Sequence, residues 1–313
     1  MRKTRRNSSM VAVWLRLGLW GAVLVAGASS ARAQDSGADN QPPPNPIVSK
    51  PGPESRPQKE GYTLFNPTPE PLLRGFNTDR PSVTESPFTV DAGHFQAELS
   101  FVEYTYDYDH GSRTDGFSVA PWNVRVGLLN DLELDLMLNP YVNTLTRDRF
   151  SRSHLAGIGD AQIRMKLNIW GNDGGPTAFG LLPYINLPTA SNGLSNHHIE
   201  GGLILPFAMD LPAGFDLGTM IDFGVHRTAV NDGYGLDLLH TVTIGHELTD
   251  GLTAYIEYAG IAPVKTGHTY LAYFDTGITC AISKNIQIDI GINIGLSRHA
   301  SDFTAFSGLS FRI

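Results

Sequence analysis

Between Ile286 and Leu296 every even position is aliphatic and every odd position is polar or glycine. A period of two is the mark of an extended strand, because successive side chains point to opposite faces. Leu132 to Leu136 repeats the pattern. Ala161 to Ile169 carries it with Gln162, Arg164, Lys166 and Asn168 on one side and almost purely aliphatic residues on the other. A strand with one greasy face and one charged face has to lie between two different solvents. The texture holds from His94 to the C-terminus, where twelve segments can be drawn, at about 94–107, 116–128, 132–142, 157–169, 177–186, 198–211, 215–226, 235–248, 252–263, 270–281, 286–296 and 302–313.

The connections between these segments alternate in length. Short ones are expected at 129–131, 170–176, 212–214, 249–251 and 283–285, and long ones at 108–115, 143–156, 187–197, 227–234, 264–269 and 297–301. Short periplasmic turns opposite long external loops, with an even strand number, describe an outer-membrane barrel. Lipid cannot hydrogen-bond a backbone, so a sheet that spans it must close on itself. The predicted fold class is all-β: a single transmembrane antiparallel up-and-down β-barrel of about twelve strands. A soluble sandwich also alternates, but these segments exceed the usual soluble strand of about 5–6 residues. The outward parity collects Phe95, Leu99, Phe101, Trp122, Leu134, Ile163, Leu203, Ile221, Val242, Ile288 and Ile290. Tyr141, Trp170, Tyr258 and Tyr270 fall near strand ends, where aromatic girdles sit.

The inward parity collects the candidate lumen residues Glu98, Arg125, Glu133, Asp135, Asp160, Arg164, Lys166, Asp222, Glu247, Glu257, Asp275, Asp289 and Arg312. Two readings stay open for them: a charged constriction that sorts solutes, or a salt-bridge network filling a narrow lumen. Twelve strands fall between the side-chain-filled barrels of eight and the aqueous channels of sixteen.

The N-terminus has the layout of a signal peptide: basic Arg2, Lys3, Arg5 and Arg6, an apolar Leu17–Ala28, then Ala31-Arg32-Ala33. Cleavage is expected between Ala33 and Gln34. That divides the chain into a signal peptide (1–33), a Pro-rich disordered linker (34–60), a lead-in or lumen plug (61–93) and the barrel (94–313). Asp79 and Arg80 are the plug candidates, with Arg80 expected to pair a lumen acid. Charged residues make up only 17% of the chain and one long apolar run exists, near the N-terminus, so a helical membrane protein is disfavoured. A formal charge of −8 argues against nucleic acid as a partner. The lone Cys280 falls on the outward parity and reads as a small lipid-facing residue. Gly171–Gly175 reads as a tight turn, not a phosphate loop, and the adjacent His197 and His198 point apart on an extended chain. No cofactor or metal motif is found, and Ser191 with these histidines lacks the spacing of a lipid-hydrolysing enzyme.

The last strand ends Phe306-Ser-Gly308-Leu-Ser-Phe311-Arg-Ile313. It resembles the terminal signal read by the barrel-assembly machinery, with Gly308, Phe311 and Ile313 at the diagnostic places. Asn77-Thr-Asp-Arg-Pro-Ser-Val-Thr-Glu-Ser86, followed by Thr89-Val-Asp-Ala-Gly-His-Phe-Gln-Ala-Glu98, resembles the opening of the outer-membrane transporter-like barrels linked to the MetA-pathway of phenol degradation. Gly157-Ile-Gly-Asp160 resembles a strand start in the same group. The resemblance implies an outer-membrane barrel, exported to the cell outer membrane and surrounded by its lipid. The expected function is passive uptake of small organic solutes, aromatic or hydrophobic ones among them. A closed structural barrel and a lipid-modifying enzyme are the alternatives.

Overall fold

The computed structural model describes residues 59–191, 193–228, 233–264 and 269–313. The expected signal peptide, its cleavage point and nearly all of the expected linker lie outside the described residues. Fifteen strand segments form one sheet: β1 (Phe95–Asp109), β2 (Ser112–Val119), β3 (Trp122–Gly127), β4 (Leu132–Leu138), β5 (Tyr141–Arg147), β6 (Arg152–Gly157), β7 (Ala161–Trp170), β8 (Thr177–Leu187), β9 (Glu200–Asp210), β10 (Phe215–Arg227), β11 (Tyr234–Thr249), β12 (Leu252–Pro263), β13 (Leu271–Ser283), β14 (Ile286–Gly295) and β15 (Phe303–Arg312). Every pairing is antiparallel, and β15 pairs with β1 to close the cylinder.

Three strands are each broken once. β2 and β3 both pair with β1, β4 and β5 pair with β3 and β2, and β6 and β7 pair with β5 and β4. Joined across their breaks, the fifteen segments are twelve strands. The breaks fall at Ala120-Pro121, Asn139-Pro140 and Ile158–Asp160, side by side in the sheet, and β1 carries a register shift between Ser100 and Val102 at the same level. Proline removes a ladder donor, and Ala120 sits at φ 49°, so the ladder cannot run through. Each interruption also resets the inward parity. In β1, Gln96 and Glu98 point inward below the shift, but Glu103 does so above it.

Two of the connections expected to be long are strand instead. The 108–115 stretch is the tip of the β1–β2 hairpin, with Asp109 opposite Ser112. The 143–156 stretch is the β5–β6 hairpin, with Arg147 opposite Arg152. These ends carry polar residues on both faces, and both faces are wet where a barrel projects beyond lipid, so the alternation that marks a membrane strand fades there.

The outer surface is apolar around the whole circumference: Phe95, Trp122, Leu134, Ile163, Leu203, Ile221, Val242, Ile256 and Ile288 are all exposed. Tyr141, Trp170, Tyr258 and Tyr270 are exposed, but only Trp170 and Tyr270 lie at strand ends; Tyr141 borders the β4–β5 break and Tyr258 lies midway along β12. The buried residues include many polar and charged ones, the reverse of a soluble core.

Candidate functional site: the barrel interior

A segment preceding β1 runs through the cylinder. It starts at the mouth bearing the short turns, where Leu64 N donates to Leu128 O (2.8 Å) and Thr63 bridges Leu129. Residues 76–88 then cross the interior, and 89–93 return to the start of β1. The chain can take this path because wall side chains satisfy its backbone, as a buried non-repetitive segment requires. Asp79 N and Arg80 N donate to the Glu98 carboxylate at 3.1 Å. Val83 N and Thr84 N donate to Glu257 at 2.7 and 2.8 Å. Val90 N donates to Glu133 (2.5 Å), and Phe88 O accepts from Arg125 (2.9 Å). Glycines make room for the crossing: a Cβ on Gly127 would overlap the Asp91 carbonyl, and one on Gly308 would overlap the Arg80 guanidinium.

Charge pairs fix the same segment. Arg80 binds Asp289 through two nitrogens, at 2.9 and 2.6 Å, and donates to Ser100 Oγ (2.5 Å). Asp79 accepts from Lys166 Nζ at 2.7 and 2.9 Å and lies 3.3 Å from Arg125. Arg125 in turn reaches Glu98 (2.9 Å) and Glu133 (2.8 Å). Glu85 pairs with Arg164. At the short-turn mouth, Lys59 bridges Asp91 (3.0 Å) and Asp173 (2.8 Å), and Arg74 also holds Asp173 (2.9 Å).

The thirteen candidate lumen residues are therefore not equivalent. Glu98, Arg125, Glu133, Arg164, Lys166, Glu257 and Asp289 all bind the crossing segment. Asp135 is buried and faces Arg125 and Arg164 across the ladder, and Asp275 faces Glu257. Asp222 accepts from the Tyr184 hydroxyl (3.0 Å), higher in the cylinder. Arg312 binds Asn285 (2.9 Å) and Arg74 O (3.0 Å) at the short-turn mouth. Asp160 sits in the β6–β7 break and Glu247 near the short-turn end of β11. Asp160 accepts from Ala190 N (2.9 Å) and Ser195 Oγ (3.3 Å), fastening the β8–β9 connection, and Glu247 accepts from Gly251 N (3.0 Å) in a turn. Ser191 is engaged in the same connection, where its Oγ accepts from Ile158 N (3.0 Å), and His197 and His198 are exposed.

Several interior residues escaped the sequence reading: Lys59, Arg74, Glu85, Asp91 and Glu103. Lys59 falls inside the stretch expected to be linker, yet it is only 2% exposed. The 171–175 turn does more than reverse the chain, because Asn172 Nδ2 donates to Thr89 Oγ1 (2.8 Å) and Asp173 anchors both Lys59 and Arg74.

Above this charged layer, toward the long connections, the interior turns apolar. Val83, at the tip of the crossing segment, packs on two clusters. One holds Ala259, Ile261, Tyr273 and Ala300, the other Leu182, Ile204 and Met220, and Leu239 touches both.

Burial alone would raise the Asp79 carboxyl, but the charges of Arg125 and Lys166, with the Lys166 hydrogen bond and Arg164 behind, outweigh it and hold the group at about 2 against an ordinary 3.8. A depressed carboxyl stabilises the fold fully above its unfolded value and loses that contribution as pH falls through its folded value. Asp79's own contribution to docking is therefore expected to be constant above about pH 4 and to be lost toward pH 2. Limited proteolysis of the segment across that range checks this. Wild type should become cleavable on acidification, whereas Asp79→Asn should be cleavable already at neutral pH.

A family model described as "Putative MetA-pathway of phenol degradation" matches residues 78–313. Among solved structures, an outer-membrane channel from Pseudomonas putida F1 shares 10% identity, covering 70% of this chain and 95% of that one, at a TM-score of 0.50. The translocator domain of the autotransporter NalP from Neisseria meningitidis shares 10% identity over 70% of this chain and 88% of its own, at a TM-score of 0.44. No curated protein sequence matches the chain.

Proposed function

The chain belongs to the family described as "Putative MetA-pathway of phenol degradation", and we propose that it is a passive outer-membrane channel for small organic solutes, gated by its own N-terminal segment. The observation that carries this reading is how the interior is filled. A barrel with a purely structural role can close on wall side chains packed against one another. Here a separate stretch of chain, entering by one mouth, occupies the centre and is held by hydrogen bonds and ion pairs that water can replace. When that stretch withdraws, a charged, water-compatible passage remains.

Two layers bear on the solute. The charged layer around Arg125, Glu133 and Lys166 admits polar groups, and the apolar collar of Leu182, Ile204, Leu239 and Ile261 lies in series with it. A solute with an apolar body and one polar group, as in small aromatic compounds, suits both. In this reading the short turns face the periplasm, and export proceeds through a peptide removed between Ala33 and Gln34. The barrel-assembly machinery reads β15, whose Phe311 lies on the outer face while Gly308 points inward. Transport is diffusive.

Reconstitution into liposomes tests the proposal. Swelling in isotonic solutions of small aromatic solutes should be faster than in protein-free vesicles, and planar bilayers should show discrete conductance steps. A folded protein that gives neither is a structural barrel. Fatty-acid release from micelles would instead mark a lipid-modifying enzyme.

A further inference from the structure

One row of facing residues on the inner wall is polar from strand to strand. Thr243 on β11 faces Glu257 on β12, which faces Asp275 on β13, then Asn293 on β14 and Thr304 on β15, all in register. All five are buried. Among the described residues no Lys, Arg or His forms an ion pair with either; the neighbouring Arg80 is occupied by Asp289, and Arg164 by Glu85. Glu257 receives donors from Val83 and Thr84. Asp275 receives none on either oxygen. The Oδ1 of Asn293, the residue opposite it, and the Tyr255 hydroxyl, two residues before Glu257 on the same face, also lack partners.

Two adjacent carboxylates out of water are too costly to stand uncompensated. A second acidic group, Asp79 of the crossing segment with Glu133 and Asp135 of the wall, has its compensation built in, since Arg125 and Lys166 sit within it. The Glu257–Asp275 pair has nothing of the kind, so the positive charge has to come from outside the chain.

We infer that Glu257 and Asp275, with Asn293 Oδ1 and the Tyr255 hydroxyl, form a binding site for a hard divalent cation of the calcium class. The donors are all oxygen, which suits calcium or magnesium over the softer transition metals. Calcium is favoured of the two because it accepts irregular oxygen cages, where magnesium demands a near-ideal octahedron. Glu257 also receives the backbone of Val83 and Thr84, so the ion would tie the tip of the crossing segment to the wall. The site does not depend on the channel reading.

The test uses the full chain in detergent micelles, stripped with a chelator and refolded with or without calcium, with folding checked by heat-modifiable gel mobility. Calorimetry should show calcium taken up, and terbium should give tyrosine-sensitised emission that calcium displaces. Asp275→Asn, nearly isosteric, should weaken the site by about tenfold or more. Tyr255→Phe, which removes one neutral donor and the sensitising phenol, should lose most of the sensitised emission and weaken calcium binding less than Asp275→Asn does. If Asp275→Asn fails to fold, Asn293→Leu serves for the same comparison. Calcium binding by the variant equal to that of wild type, or no uptake by wild type at millimolar calcium, overturns the inference. The second result would leave a shared proton as the occupant of the pair.

Discussion

Replacing Arg125 with methionine should cost the barrel about 3–5 kcal/mol, the range for removing one partner from a buried ion pair. Arg125 is 1% exposed and serves Glu98, Glu133, Asp79 and the Phe88 carbonyl at once. Its loss leaves three carboxylates with Lys166 as the main remaining cation. Methionine keeps much of the volume, so the loss is electrostatic rather than a cavity. Urea unfolding of the reconstituted protein, followed by tryptophan fluorescence, measures the cost. Adding Glu98→Gln to the variant should recover part of it, because that acid would no longer be stranded. Destabilisation below about 1 kcal/mol would place the cluster in the class of solvated surface pairs and contradict a dry, paired interior.

Arg80→Ala should raise transport and, because it strands the buried Asp289, also cost stability on the scale of Arg125→Met. The wild-type side chain makes a two-nitrogen bond to Asp289 and a further bond to Ser100. Bonds to charged groups contribute about 1.5–3 kcal/mol each. Without them the segment keeps its Glu98, Lys166 and Glu257 contacts and the Gln287–Thr78 hydrogen bond (3.1 Å), but loses its ion pair to β14. In planar bilayers, open events should become longer and mean conductance should rise severalfold, and Asp289→Asn should act in the same direction. A change of ion selectivity at constant conductance would mean that Arg80 acts only as a fixed lumen charge.

The barrel was legible where lipid imposes its pattern. Residues 286–295 and 161–169 alternate strictly because one face meets hydrocarbon and the other does not, and both are strands where the alternation places them. The pattern fails for identifiable reasons. Above the breaks at Ala120, Asn139 and Ile158 the parity resets, which a continuous count cannot register. Beyond the lipid, Ser112–Val119 and Arg152–Gly157 are held by backbone ladders rather than by a greasy face. The interior was only half legible. Asp79 and Arg80 stand out in a motif-like stretch, but Lys59, Arg74 and Asp91 find partners through a segment that doubles back. Lys59 and Asp91, for instance, lie on either side of the crossing segment in sequence and meet at the short-turn mouth. Nothing local in the sequence marks such pairs.

In the proposed channel the segment that occupies the cylinder must move for solutes to pass. Thr84 Oγ1 and Thr241 Oγ1 lie 2.6 Å apart, one on the segment's tip and one on β11. A Thr84→Cys, Thr241→Cys protein carrying Cys280→Ser can therefore be locked by a single disulfide. Single-channel recording should find the oxidised protein silent and conductance restored by a reductant on the short-turn side. Equal conductance before and after reduction, with the disulfide verified by mass spectrometry, would show that solutes pass without moving the segment.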